Sequence, residues 1–219
     1  MVIVYIVVAA AGYLLGSIPF GYLLVKIFRG EDIRLSGSGN IGATNVARSA
    51  RGLGIATLLL DAAKGMLSVL LAMFLAFKND LCTSATSCPA AIYLISAGAA
   101  ASVLGHMFPV WLRFQGGKGV ATAMGAFALV FPRALLITVA IFIIVVLATR
   151  YVSLASILAA IAFPIGVHWL NHPGWQTLLP IWAICGFIVI KHHQNIRRLL
   201  AGNESRFGSA KPSQPGGQA

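Results

Sequence analysis

Three polar clusters, each beside a long apolar stretch, contain the residues of this chain that could do chemistry. The first is SGSGNIGATNVAR at 36–48, where glycines allow backbone N–H groups to turn toward an anion. An arginine in such a loop offers a planar, bidentate fork that fits phosphate or carboxylate. The candidate ligands are Ser36, Ser38, Asn40, Thr44, Asn45 and Arg48. The alternative is a flexible hydrophilic loop whose arginines only set topology.

The second cluster is GHMFPVWLRFQGGKGVAT at 105–122. Lys118 lies between Gly117 and Gly119 at the start of an apolar segment, which combines a point charge with free N–H donors. This arrangement indicates an anion site, although a phosphate-binding P-loop would have Ser or Thr after the lysine. His106 is more typical of a packed, hydrogen-bonded histidine than of a general base.

The third cluster is KHHQNIRRLLAGNESR at 191–206. On a continuing helix His192 and Asn195 share one face, which Arg198 extends, and Glu204 follows shortly after. A basic amphipathic helix on anionic lipid would explain the arginines. It does not require the histidine or the asparagine, and we therefore include both, together with Glu204, as candidate substrate ligands.

An acid and a base lie within an apolar stretch, where ionisable groups are costly and usually functional or paired. Asp61 and Lys64 are three residues apart and can pair on one helix face. We favour an ion pair that supports the site over direct catalysis. Residues 37–42 formally match GxGxxG, but an apolar span precedes them where a dinucleotide fold requires a strand.

The composition defines the class of protein. Of the 219 residues, 58% are hydrophobic and 10% charged, with a mean hydropathy of +0.87, whereas soluble domains have about 25% charged residues. We predict an all-α, polytopic integral membrane protein with one domain at 1–206 and a disordered tail at 207–219. The predicted spans are 2–26, 54–77, 91–112, 119–131, 134–149, 151–170 and 176–190.

Charge sets the expected topology. The net charge of +11 suits positively charged cytoplasmic loops, so no nucleic-acid partner is needed to explain it. The N-terminal apolar run lacks the basic region of a signal peptide, so we expect a retained first span with its N-terminus outside. Seven spans then place 13 of the 16 Lys and Arg residues and the C-terminus in the cytoplasm. The exceptions are Lys64, Lys78 and Arg133.

Two features remain open at this stage. The stretch 119–149 contains Pro132 and is either one long span or two short ones; charge parity favours two. Cys82 and Cys88 fall in the expected outer loop, where they form a disulfide or remain two small free residues. Cys185 is expected to pack within a span, and the sequence has no pattern typical of a metal site.

The ordered set SGSGNIGATNVAR, LDAAKG, GHMFPVWLRFQGGKGVAT and HHQNIRRLLAGNE resembles the bacterial PlsY family, over nearly all of residues 12–206. The family consists of acyl-phosphate:glycerol-3-phosphate acyltransferases. The resemblance implies seven spans in the bacterial cytoplasmic (inner) membrane, with the active site on the cytoplasmic face. It also implies glycerol 3-phosphate and long-chain acyl phosphate as substrates, the phospholipid bilayer as surroundings, no cofactor and no obligate protein partner. Lys191 departs from the arginine expected before the histidine.

By this resemblance the reaction forms lysophosphatidic acid at the sn-1 hydroxyl and releases phosphate. Arg48 and Lys118 would hold the two phosphates together, and His192 would act as base or as a binding residue while donor phosphate accepts the proton; we favour the latter. The HxxxxD box of another acyltransferase class is excluded, because every Asp precedes every His. An anion transporter lacks its expected inverted repeat here, and a lipid phosphatase remains a further alternative.

Overall fold

This computed structural model describes residues 2–79 and 89–208, and their regular elements are helices. The all-α class is thereby confirmed. The ten α-helices are α1 (Val2–Ser17), α2 (Phe20–Arg29), α3 (Ala43–Ser49), α4 (Arg51–Lys78), α5 (Pro89–Met107), α6 (Val120–Phe127), α7 (Pro132–Thr149), α8 (Val152–Asn171), α9 (Trp175–Lys191) and α10 (His193–Leu200). A main apolar core joins α1, α4, α5, α6, α7, α8 and α9.

The long helices are apolar enough to cross a bilayer. Five stretches of the described chain qualify by length and hydropathy, and α9 with α10 makes a sixth if this pair, bent by 53°, is one broken span. The segment predicted as span 119–131 differs, because its helix α6 has only eight residues and rises about 12 Å. The predicted count of seven is therefore not confirmed. The predicted break at Pro132 is present, since this proline occupies the first turn of α7.

The first span is interrupted near its basic C-terminal end. We predicted one continuous span at 2–26, whereas α1 ends at Ser17 and α2 begins at Phe20. Pro19 causes the break because proline lacks an N–H and disfavours helical geometry in the residue before it. The carbonyl of Ile18 at this break accepts a hydrogen bond from the Lys64 ammonium at 2.8 Å. A buried lysine of α4 therefore satisfies backbone that the proline leaves without a helical partner.

A second, smaller apolar cluster lies beside α2 and holds the polar loop 36–45 in place. Its buried members are Val25, Ile33, Ile41, Val46 and Leu112. A Cβ on Gly21 of α2 would lie only 1.9 Å from the carbonyl oxygen of Ile41, so the loop backbone rests directly on that helix. Leu112 belongs to the turn that precedes Lys118, and this cluster therefore brings the first two polar clusters to the same region.

Two predictions fall on residues outside the described ranges. Cys82 and Cys88 lie between residues 79 and 89, so their disulfide stays a prediction. The disordered tail stays one for residues 209–219. Phe207, which we assigned to that tail, exchanges backbone and side-chain hydrogen bonds with Arg150 at 2.7 and 3.1 Å. Cys185 is a buried free cysteine in α9, as expected from its position in an apolar span.

Candidate active site

The centre of the site is a hydrogen-bonded row of side chains from distant parts of the chain. The Lys118 ammonium donates to Asn195 Oδ1 at 2.5 Å, and Asn195 Nδ2 donates to Glu204 Oε1 at 2.6 Å. Lys118 lies in the turn before α6, Asn195 in α10, and Glu204 just after α10. The second and third polar clusters of the sequence therefore meet at one place, and on one side of the molecule.

The row of hydrogen bonds ends at the carboxylate of Glu204. Besides the amide of Asn195, its carboxylate accepts hydrogen bonds from Ser153 Oγ at 2.7 Å and from Arg198 Nε at 2.7 Å. Burial would raise the pKa of the Glu204 carboxyl, but these hydrogen bonds together lower it below its ordinary value. A charged Glu204 therefore fixes the orientation of the Asn195 amide, whose oxygen is left to face Lys118.

Lys118 keeps an uncancelled positive charge in a poorly hydrated position. Burial is the main reason that the pKa of its ammonium is lowered to about 8. The Glu204 carboxylate opposes this shift, while the guanidinium groups of Arg198 and Arg48 add to it. The influence of Arg48 places this exposed residue of α3 within electrostatic range of Lys118. Three cations thus surround one region, which is the arrangement that an anionic ligand requires.

His192 lies at the bend between α9 and α10 and is buried. Its Nδ1 is 2.7 Å from the carbonyl oxygen of Ile188. In the neutral ring this contact makes Nδ1 the donor and leaves Nε2 as the nitrogen with a free lone pair. His192 precedes Asn195 by three residues, so the bend carries both side chains into the same part of the site.

The loop 36–45 is built around the side chain of Asn45, which is buried. Its Oδ1 accepts from the N–H of Ser38 at 2.9 Å, and its Nδ2 donates to the carbonyls of Ser36 and Asn40, each at 2.9 Å. A Cβ on Gly37, whose φ is +60°, would lie 2.3 Å from that same Oδ1. The structure therefore places Asn45 as the organiser of the loop, with both ends of its amide occupied by backbone.

The side chains of the other predicted ligands in this loop make fewer hydrogen bonds than that of Asn45 does. Asn40 Oδ1 accepts from the N–H of Gly42 at 2.8 Å, which turns the chain into α3. Ser38 is exposed, while Ser36 and Thr44 are half-buried. Arg48 follows in the last turn of α3, which packs closely against α4. The link between this loop and Lys118 is the charge of Arg48 together with the apolar contact at Leu112.

The glycines around Lys118 serve close packing as well as backbone freedom. The N–H of Gly117 donates to the carbonyl of His106 at 3.0 Å, so it is engaged by the end of α5. A Cβ on Gly117 would lie 2.0 Å from His106 Nε2. Gly119 has a φ of +83° and precedes α6 as its N-cap, a conformation that favours glycine. The turn is therefore fixed on both sides of Lys118.

Asp61 and Lys64 lie below this site and form the expected pair. The Lys64 ammonium is 2.7 Å from Asp61 Oδ1, and each residue is 2% exposed. Lys64 also bonds Ile18 at the break in the first span. Their position inside α4 and their mutual contact agree with a structural pair that supports the site.

Sequence reasoning missed Ser153, which sits in the first turn of α8 and binds Glu204 from 51 residues away. The surrounding YVSLAS has only two serines among apolar residues, a pattern common in membrane helices, so only the fold could identify this partner. Arg198 was recognisable from its spacing after His192 and Asn195, and the structure adds its ion pair with Glu204 at 2.7 Å.

A cationic site at one end of an apolar helical bundle can attract an anionic ligand beside a bilayer. The chain matches the family model "Glycerol-3-phosphate acyltransferase" over residues 6–202. It is 47% identical to the glycerol-3-phosphate acyltransferase of Syntrophotalea carbinolica over 205 residues, which cover 93% of this chain and 97% of the relative. It is 45% identical to that of Nitrobacter winogradskyi over 201 residues, covering 91% and 94% respectively.

Solved structures agree with these relatives. The crystal structure of PlsY (YgiH), an integral membrane glycerol 3-phosphate acyltransferase, in its glycerol 3-phosphate form superposes with a TM-score of 0.82 at 38% identity. That match covers 93% of this chain and 96% of the other. The lysophosphatidic acid form of the same enzyme gives a TM-score of 0.78. The chain belongs to the glycerol-3-phosphate acyltransferase family of the PlsY type and is an integral membrane enzyme.

Proposed function

We propose that this enzyme transfers a long-chain acyl group from acyl phosphate to the sn-1 hydroxyl of glycerol 3-phosphate, without a cofactor. The hydroxyl oxygen forms a bond to the acyl carbonyl carbon while the bond between that carbon and the phosphate oxygen breaks. The products are lysophosphatidic acid and inorganic phosphate. An acyl phosphate is already activated, so the reaction needs no covalent enzyme intermediate, and catalysis reduces to positioning and charge stabilisation.

The observation that carries this proposal is the uncancelled cation at the centre of the site. Two phosphate groups repel each other when they approach, and the Lys118 ammonium, together with Arg48, can offset that repulsion. Lys118 contacts only a neutral amide oxygen among the hydrogen bonds of the described chain. Ser36, Ser38 and Thr44 would orient phosphate oxygens from the loop, with Gly117 and Gly119 shaping the turn beneath them.

The proton of the attacking hydroxyl leaves with the departing phosphate, whose oxygen is close and basic once the acyl bond has weakened. His192 then acts as a hydrogen-bonding ligand through Nε2, because its Nδ1 is held by Ile188. If His192→Ala abolished turnover while leaving both substrate affinities unchanged, His192 would instead be the base.

An apolar groove near the first-span break is the proposed place for the acyl chain. It is lined by Ile18, Pro19, Tyr22, Leu23, Trp111 and Leu112 and has a volume of about 330 Å³. Leu112 also belongs to the small apolar cluster beneath the loop 36–45. The groove thus lies between the two polar loops and opens among side chains that a bilayer would contact.

We propose a cytoplasmic site in the bacterial inner membrane, with the N-terminus outside and seven passages through the bilayer. Lys118 and Asn195 are bonded at 2.5 Å, although α7, α8 and α9 separate them in sequence. Three full passages would leave those residues on opposite faces. A partial passage by α6 would make the number even, and this supports the proposal of a short fourth passage with the basic loops on one face.

The experiment is a phosphate-release assay on the purified protein with acyl phosphate as donor. We expect release of one phosphate for each lysophosphatidic acid formed, and only when glycerol 3-phosphate is present. Phosphate release without the acceptor would indicate a phosphatase. Uptake of phosphate or glycerol 3-phosphate into proteoliposomes without any acyl product would indicate a transporter.

A further inference from the structure

The end of α5 carries a histidine that the proposed reaction does not use. His106 is 4% exposed, and its Nδ1 has no hydrogen-bond partner among the described residues. That nitrogen lies 3.5 Å from Asp61 Oδ1, the oxygen that pairs with Lys64. Burying an imidazole next to a carboxylate inside a membrane bundle is costly compared with burying an apolar side chain. A function in the site would account for its presence there.

The opposite edge of the same ring faces the turn that presents Lys118. A Cβ on Gly117 would lie 2.0 Å from His106 Nε2, which means that the ring fills the space directly beside that glycine. The backbone of α5 also holds the turn, since Gly117 N–H donates to the His106 carbonyl at 3.0 Å and Gly116 N–H donates to Met107 at 3.2 Å. The Lys118 turn therefore rests on His106.

The carboxylate on the other side of the ring is itself fixed. Asp61 is 2.7 Å from the Lys64 ammonium, and Lys64 donates to the Ile18 carbonyl at 2.8 Å. His106 therefore lies between the Asp61–Lys64 ion pair and a glycine turn, in which no side chain can move aside for the ring. The ring therefore contacts the backbone that holds Lys118 without a side chain between them.

We propose that His106 is a positioning residue for acyl transfer: its ring, held between the Asp61 carboxylate and Gly117, sets the distance of the Lys118 ammonium from Asn195. This role rests on the proposed phosphate-binding function of Lys118. His106 touches neither substrate. Loss of the ring lets the turn sink toward α4, which withdraws the ammonium from the Asn195 amide and from the phosphate.

The first test replaces the ring in the full-length enzyme. We expect His106→Ala to lower kcat/KM for glycerol 3-phosphate about tenfold through a higher KM, because a small displacement of a binding cation weakens substrate positioning. His106→Gln, whose amide fills the volume beside Gly117, should recover most of this loss. The matched control is Ser102→Ala, one turn earlier in α5, whose hydroxyl donates to the Ala99 carbonyl of its own helix at 2.9 Å. Its kcat/KM should stay within about twofold.

The second test adds a methyl group to Gly117, on the turn side of its contact with the His106 ring. Gly117→Ala should lower kcat/KM on its own, since the new Cβ meets His106 Nε2. In the double variant with His106→Ala the space exists, so the two losses should be strongly less than additive. Equal and additive losses would show that the ring and the turn do not act on each other, and would overturn the proposal.

A pH profile separates positioning from mere structural support. In the wild type the alkaline decline of kcat/KM should follow the pKa of Lys118, about 8. In His106→Ala the turn sinks toward α4 and carries the ammonium into a less hydrated position, so the decline should move to lower pH. A purely structural residue would lower the melting temperature without moving the decline. If His106→Ala does not accumulate, Gly117→Ala decides the question: its new Cβ pushes the turn away from the ring, and the decline should move to higher pH.

The outcomes also separate this inference from the proposed function. Loss of activity in Lys118→Met with an unchanged kcat/KM and pH profile in His106→Ala would overturn the positioning role alone. Full activity in Lys118→Met would remove the phosphate-binding role of Lys118 and the inference with it.

Discussion

Two lysines of this chain lie near carboxylates, and the difference between them separates structure from function. Lys64 contacts Asp61 directly at 2.7 Å, deep in the bundle, and its charge is cancelled there. Lys118 is separated from Glu204 by the Asn195 amide, which accepts from the lysine and donates to the glutamate. A lysine in direct contact with an acid supports the fold, while one held by a neutral amide keeps its charge for a ligand.

The surroundings of the two carboxylates follow the same division. Asp61 faces a single cation and a histidine ring inside the bundle. Glu204 accepts hydrogen bonds from Ser153, Asn195 and Arg198, so its carboxylate orients other side chains at the edge of the bundle. Variants of the Asp61–Lys64 pair should therefore lower stability, while variants of Lys118, Asn195 and the groups around Glu204 should lower catalysis.

The largest effect is expected from Lys118→Met, which keeps the volume and removes the charge. We predict a loss of about 1000-fold in kcat/KM for glycerol 3-phosphate, the upper range for removing one preorganised electrostatic group. The melting temperature should change little because Lys118 makes no direct ion pair with the described residues. Lys78→Met, at the exposed end of α4, is the matched control and should retain activity.

Lys64→Met should have the opposite profile. It leaves the Asp61 carboxylate buried without its cation and the Ile18 carbonyl without its donor, and it should reduce the free energy of unfolding by about 3 kcal/mol. Thermal unfolding in detergent measures this. The double variant Asp61→Asn/Lys64→Met should recover part of the stability. If the single variant were as stable as the wild type, Lys64 and Asp61 would not be a structural pair.

Asn195→Asp gives Lys118 a direct carboxylate contact, like the one that Lys64 makes with Asp61, with almost no change in side-chain shape. It places a carboxylate directly on Lys118, and we expect kcat/KM to fall about 30-fold because the cation is then cancelled and the new acid repels phosphate. Asn203→Asp adds the same charge to the exposed segment that follows α10 and should stay near the wild-type value. A comparable loss in both variants would mean that charge in general, rather than the Lys118 contact, is responsible.

Ser153→Ala should have the smallest effect. It removes one of the hydrogen bonds that fix Glu204, worth about 1 kcal/mol, and should lower kcat/KM about fivefold. Thr138→Val, which alters a buried hydroxyl that donates to the Ala134 carbonyl of its own helix in α7, should leave kinetics unchanged. Identical kinetics in Ser153→Ala would show that Glu204 keeps its orientation without α8.

Part of this comparison could be predicted from the sequence. Motif spacing identified Lys118, Asn195 and Glu204 as candidates, because charged and amide side chains in an apolar chain are few and conspicuous. The Asp61–Lys64 pair followed from helical spacing alone. These local patterns need no knowledge of how the helices pack.

The remainder depends on tertiary packing. The residues after Phe127 are as apolar as those before, so hydropathy could not show that α6 stops after eight residues. Asn45 looked like a ligand, yet its amide is used by the backbone of its own loop, which turns through left-handed glycines. The bond from Ser153 to Glu204 joins residues 51 positions apart and has no sequence signal.

The most direct test is the pH dependence of kcat/KM for glycerol 3-phosphate in the wild type and in Asn195→Asp. With its pKa lowered to about 8 by burial, Lys118 is charged below that pH, so activity should be full there and fall as the pH rises through 8. In Asn195→Asp the adjacent carboxylate favours the ammonium and should move the decline to higher pH. A decline at the same pH in both enzymes would contradict the assignment of the binding cation to Lys118.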